Sequence, residues 1–123
     1  MHIEVPRLLA SAGIVLLSIA ALVGFQQARV AAGSDAHVRW RVAHAGGTAG
    51  GVQLIALAAG WQWLEGARFS AVLALGLALS TWAFFVGPTL RALGSERMAR
   101  RINLMGAAIA VPSYLALPCA LLF

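Results

Sequence analysis

Residues 37–63 read HVRWRVAHAGGTAGGVQLIALAAGWQW, and the fold follows from this stretch. Arg39 and Arg41 flank Trp40 at its start, His44 sits just inside the apolar run, and two glycine pairs follow before Trp61 and Trp63 close it. On an α-helix the interval from Trp40 to Trp61 spans about 31 Å, roughly the hydrocarbon thickness of a bilayer. Tryptophan favours both membrane–water interfaces, so the stretch predicts a spanning helix with marked ends. Between Val42 and Leu64 the sole ionisable side chain is that of His44. An ionisable group inside a span is a functional-site signal.

Working outward, three more uncharged runs are long enough to span: 8–25, 69–90 and 102–123. The chain has 123 residues, 61% hydrophobic and 11% charged, with mean hydropathy +0.85, outside the range of soluble domains. Spans at roughly 8–25, 42–64, 69–90 and 102–123 leave only short connections. One all-α domain is expected, a four-helix transmembrane bundle covering residues 1–123.

The net charge of +5 comes from arginine alone, as the chain has no lysine. These arginines border apolar runs and do not form a basic soluble face, which argues against nucleic acid. Arg29, Arg39 and Arg41 lie between the first two spans, and Arg91, Arg97, Arg100 and Arg101 between the last two. Arg7 and Arg68 belong to the opposite side. The positive-inside rule then predicts cytoplasmic richer loops and both termini on the non-cytoplasmic side. A multi-pass place in a bacterial inner (plasma) membrane is the expected location.

Local signals refine this outline. Pro6 suits a first helical turn, and Ser34 or Asp35 suits the N-cap of the second helix. Gly13 and Gly24 offer small contact points on the first. Residues 65–68 predict a tight antiparallel hairpin between helices two and three. Ser80 and Thr81 are expected to bond back to their own helix, while Trp82 either lines a pocket or packs between helices. Pro112 and Pro118 remove backbone donors in the last helix, and Ser113 or a neighbouring chain could supply partners for the freed carbonyls. Tyr114 reads as a buried phenol in need of a partner, and Cys119 as a small packing residue.

The segment HAGGTAGG holds two overlapping G-x-x-x-G pairs, Gly46–Gly50 and Gly47–Gly51. One reading is close helix packing. The other uses the helical period, which places His44, Gly47, Thr48 and Gly51 on one face, an imidazole beside bare backbone. Haem suits such a surface, with histidine as axial ligand and glycines admitting the ring. His37 and His44, about 10.5 Å apart along one helix, cannot clamp one iron from both sides, and His2 belongs to the other side of the membrane. A single chain then leaves a coordination position open for substrate, favouring Lewis-acid chemistry over electron transfer.

The stretch WRVAHAGGTAGGVQLIALA resembles the second helix of styrene oxide isomerases and the related hydroxylaminobenzene mutases, through H-x-x-G-x-x-x-G on His44, Gly47 and Gly51. VPSYL is similar to their Pro-x-Tyr-Leu, through Pro112, Tyr114 and Leu115. The resemblance implies a homotrimer with haem b between subunits, His44 as metal ligand, and Gly47 and Gly51 as cofactor-contact positions. It further implies ferric iron acting as a Lewis acid on an epoxide oxygen, ring opening to a carbocation, and a hydride shift to an aldehyde. Thr48, Trp82 and Tyr114 are then the candidate catalytic pocket residues for a small apolar substrate entering from the bilayer. The chain departs from the family's isomerases in two places. Gly50 stands where they have an asparagine, and helix three offers Ser80, Thr81 and Trp82 where they carry an aspartate and a tyrosine.

Two other classes fit the outline. A non-catalytic haem-binding or assembly subunit would account for the missing polar residues of helix three. A small four-helix transporter has similar length, but such pumps place a carboxylate inside the first helix, and Leu8–Phe25 has none.

Overall fold

The computed structural model describes residues 4–64 and 69–122. It shows four long helices there: α1 (Val5–Ala28), α2 (Asp35–Ala59), α3 (Ser70–Ala92) and α4 (Glu96–Leu122). A single 3₁₀ turn, Trp61–Trp63, follows α2, and no strand occurs among the described residues. All four helices are long and apolar enough to cross a membrane. The chain is therefore an all-helical, multi-pass membrane protein. The predicted hairpin at residues 65–68 lies outside the described residues, as does His2.

The helix ends follow local chemistry. Pro6 occupies the first turn of α1, where its missing N–H costs nothing. The Ser34 hydroxyl accepts from the His37 N–H at 3.1 Å, so Ser34 is the N-cap of α2 and Asp35 lies in its first turn. At the end of α3, Ser95 N–H bonds to Leu90 C=O at 2.8 Å and Gly94 N–H to Arg91 C=O at 3.0 Å. This Schellman closure needs a left-handed residue, supplied by Gly94 at φ 90°.

Helix α2 stops earlier than the sequence predicts. The chain tightens at Gly60, so Trp61 lies off the helix and turns inward, buried with Leu9, Leu54 and Leu64. Trp63 is the tryptophan that faces outward. The interfacial marker at this end is therefore Trp63, and Trp61 is a core residue.

Close backbone contacts fix the topology. On α1 and α2, Gly13 meets Gly51 and Ile55, Leu16 meets Gly50, and Ala20 meets Gly47. Rising numbers on one helix meet falling numbers on the other, so the pair is antiparallel. The same holds for α2 and α3 (Gly47 with Phe85, Gly50 with Thr81) and for α3 and α4 (Gly76 with Ser113, Gly87 with Asn103). The bundle runs up-down-up-down. Lipid is as apolar as leucine, so what holds these helices is dense packing, which small residues permit. Helix α4 packs mainly on α3 and is the least buried of the four.

Buried hydroxyls satisfy themselves within their helices, as expected. Ser80 and Thr81 donate to Leu77 C=O at 3.0 and 2.7 Å. Ser113 donates to Ile109 C=O at 2.8 Å, not to the Ala108 carbonyl that Pro112 leaves free. Cys119 is exposed on α4, contrary to a packing role.

Candidate functional site

The site is built on the outward face of α2. Ala45, Ala49 and Val52 form its centre line, His44 and Thr48 one margin, and Gln53 the far corner. Together they line an open groove of about 680 Å³. From His44 to Gln53 the helix rises about 13.5 Å. The floor is nearly flat because its side chains are methyl- and isopropyl-sized.

His44 is fixed by α1. Its Nδ1 lies 2.8 Å from the Ala20 carbonyl oxygen. A carbonyl only accepts, so Nδ1 carries the proton and, in the neutral ring, Nε2 keeps its lone pair. The ring rests on Gly24, where an added Cβ would lie 2.8 Å from its Cε1 and Nδ1. That cradle exists only because residue 24 lacks a side chain.

The glycines of the motif serve the interior. Gly47 and Gly51 lie on the inward side of His44, and Thr48 on its outward side. A Cβ on Gly47 would meet Phe85 and Ala20, and one on Gly51 would meet Leu17 and the Gly13 carbonyl. Both glycines thus sit in helix contacts, and the open surface beside the imidazole belongs to Ala45, Thr48 and Ala49. The sequence placed all these residues near His44, but the direction of the bundle decides which are accessible.

The three candidate pocket residues separate. Thr48 lines the groove, its hydroxyl donating to the His44 carbonyl at 3.0 Å. Tyr114 is not buried, contrary to expectation; it is exposed on α4, and its phenol oxygen accepts a hydrogen bond from the Gln53 amide. Trp82 lies away from the groove on α3, packed edge-to-face against Phe85 with centroids 6.3 Å apart. It touches the site only through Phe85, which seats on Gly47.

Gln53 is the residue that sequence reasoning overlooked. As the one side-chain amide of α2, and a polar group well inside an apolar span, it carried a signal. Its partner Tyr114 could be found only from the α2–α4 approach.

Among the described residues no group of three or more His, Cys, Asp or Glu side chains could hold a metal ion. An isolated imidazole with a free Nε2 beside a flat apolar floor instead suits a metal that brings its own equatorial ligands, as haem does.

With this geometry in place, comparison with known families is decisive. The family model described as styrene oxide isomerase matches residues 5–123. The chain belongs to the styrene oxide isomerase family. The match takes in all four helices, the His44 margin and the Gln53–Tyr114 contact. Among curated proteins and solved structures nothing matches.

Proposed function

We propose that this protein is a membrane-embedded, haem b-dependent isomerase that converts a small apolar epoxide into a carbonyl compound, with His44 as the residue that would hold the iron. The observation that carries this reading is the His44 arrangement, in which Nδ1 is committed to Ala20 and Nε2 is left for a metal. Hydrogen bonding of the second ring nitrogen orients metal-ligating histidines and raises their basicity. When bound, haem iron supplies Lewis acidity toward an epoxide oxygen.

The chain's own residues support this chemistry in three ways. Ala45, Ala49 and Val52 give a dry, apolar floor that admits a flat group and an apolar substrate from the bilayer. Thr48 ties its hydroxyl to the backbone and so presents its methyl group as part of that floor. Gln53, held by Tyr114, keeps a second N–H and a carbonyl oxygen to orient a polar substrate atom. In the rearrangement one ring C–O bond breaks, hydrogen migrates with its electron pair to the neighbouring carbon, and a C=O bond forms. No proton is gained or lost overall, which agrees with a groove lacking any carboxylate.

The groove is walled by α2 alone, so a second copy of the chain would supply its other side. The family resemblance suggests a homotrimer. We further place the protein in a bacterial inner membrane, with the arginine-rich ends of the helices cytoplasmic and both termini outside. A reporter fused after Phe123 tests this, and a cytoplasmic signal would refute it.

One observation favours a second reading, a non-catalytic haem-binding subunit. The Ser80 and Thr81 hydroxyls are both spent on Leu77, Trp82 is turned to Phe85, and no α3 residue lines the groove. Two measurements separate the readings. The purified protein should show a Soret band that His44→Ala abolishes, and the wild type should isomerise an aryl epoxide. Pigment without turnover selects the carrier; absence of any pigment in wild type removes both haem readings and leaves transport.

A further inference from the structure

A second groove lies at the α3–α4 turn, remote from Gln53 and independent of the haem reading. Arg91, Glu96, Arg97, Arg100, Arg101 and Leu104 line it, enclosing about 670 Å³. Glu96 is committed to Arg91, with Oε2 2.9 Å from Nε. Among the described residues no carboxylate pairs with Arg97, Arg100 or Arg101. Three guanidinium groups therefore converge with their charge uncompensated.

The same helix face continues into the bilayer. Arg97, Arg101, Leu104, Ala108 and Val111 recur at alternating spacings of four and three, and all five are exposed. Along this stripe the chemistry changes from cationic to apolar within one turn, at Leu104. A free anion would need only the arginines. A ligand with an anionic head and a hydrocarbon tail uses the whole stripe.

We propose that this groove binds the phosphate headgroup of an anionic phospholipid, with an acyl chain running along Leu104 and Val111. The guanidinium forks of Arg97, Arg100 and Arg101 take the phosphate oxygens, in the geometry that suits arginine best. The Arg91–Glu96 pair spans the turn and keeps the one nearby carboxylate away from these three arginines.

The test uses the full chain reconstituted in phosphatidylcholine bilayers, with spin-labelled phosphatidylglycerol and phosphatidylcholine as probes. The motionally restricted fraction of each lipid gives their relative association. Wild type should prefer phosphatidylglycerol by about fivefold or more, since one basic residue near an anionic headgroup is worth roughly that factor. The triple variant Arg97→Gln/Arg100→Gln/Arg101→Gln should bring the two lipids close to parity with unchanged circular dichroism, because these side chains are exposed. Arg7→Gln, at the opposite end of α1, should leave the preference intact. The proposal is overturned by equal association in wild type, by full preference in the triple variant, or by an equal loss in Arg7→Gln. Loss of the preference on adding inorganic phosphate at constant ionic strength would assign the groove to free phosphate and also overturn it.

Discussion

The imidazole of His44 lies on the bare backbone of Gly24, one helix away, with its Nδ1 held at 2.8 Å by the carbonyl of Ala20, one turn earlier on α1. A histidine predicted from α2 is thus positioned by two residues of α1. In Gly24→Ala the new Cβ would fall 2.8 Å from the ring, so the imidazole must rotate off its acceptor. Losing such an orienting contact typically costs 10- to 100-fold in metal affinity. We expect Gly24→Ala to retain about tenfold less haem or worse, at unchanged helicity, read as Soret absorbance per protein.

The α1–α2 crossing depends on Gly13 and Gly51. A Cβ on Gly13 would lie 2.8 Å from the Gly51 carbonyl, and one on Gly51 would lie 2.9 Å from the Gly13 carbonyl. Backbone cannot move aside as a side-chain tip can, so the helices must separate. Gly51→Ala should destabilise the bundle by about 1–3 kcal/mol, the usual cost of overpacking. Unfolding in mixed detergent measures it.

Gln53 and Tyr114 join α2 to α4, whose packing is otherwise mainly on α3. Hydrogen bonds between transmembrane helices average about 0.6 kcal/mol in double-mutant cycles. A cycle through Gln53→Leu and Tyr114→Phe should return a coupling of that order. Gln53→Leu should also lower kcat/KM on an epoxide with haem content unchanged, because it removes the one amide at the corner of the groove.

Asn103 presents a different kind of contact. Its amide is pressed against Gly87, and its Oδ1 is buried without a hydrogen-bond partner. Gly87→Ala should therefore destabilise the α3–α4 pair by about 1–3 kcal/mol. Asn103→Ala removes an unsatisfied buried oxygen, so it should leave stability unchanged or raised, and should rescue Gly87→Ala. The same unfolding assay reports both.

Much of the fold was legible because transmembrane helices are specified locally. Ser34 as a cap, Pro6 in a first turn and Gly13 as a contact point were all read from sequence, since each depends on neighbours in the chain or on simple size. Trp61 was misread as an interfacial residue, because Gly60 ends the helix and turns that indole inward. Gln53 was overlooked because an amide in an apolar run declares a need for a partner without naming it.

By itself the sequence determined the number of helices, their apolar character and His44 as the ionisable group inside the second of them. Those properties follow from length, hydropathy and period, which act along a single segment. Only the tertiary structure decided that Gly24 cradles the imidazole, that Gly47 and Gly51 pack inward, and that Ala45, Thr48 and Ala49 form the open floor. A helix's period defines its faces, but which face turns outward depends on the neighbouring helices that cover the others.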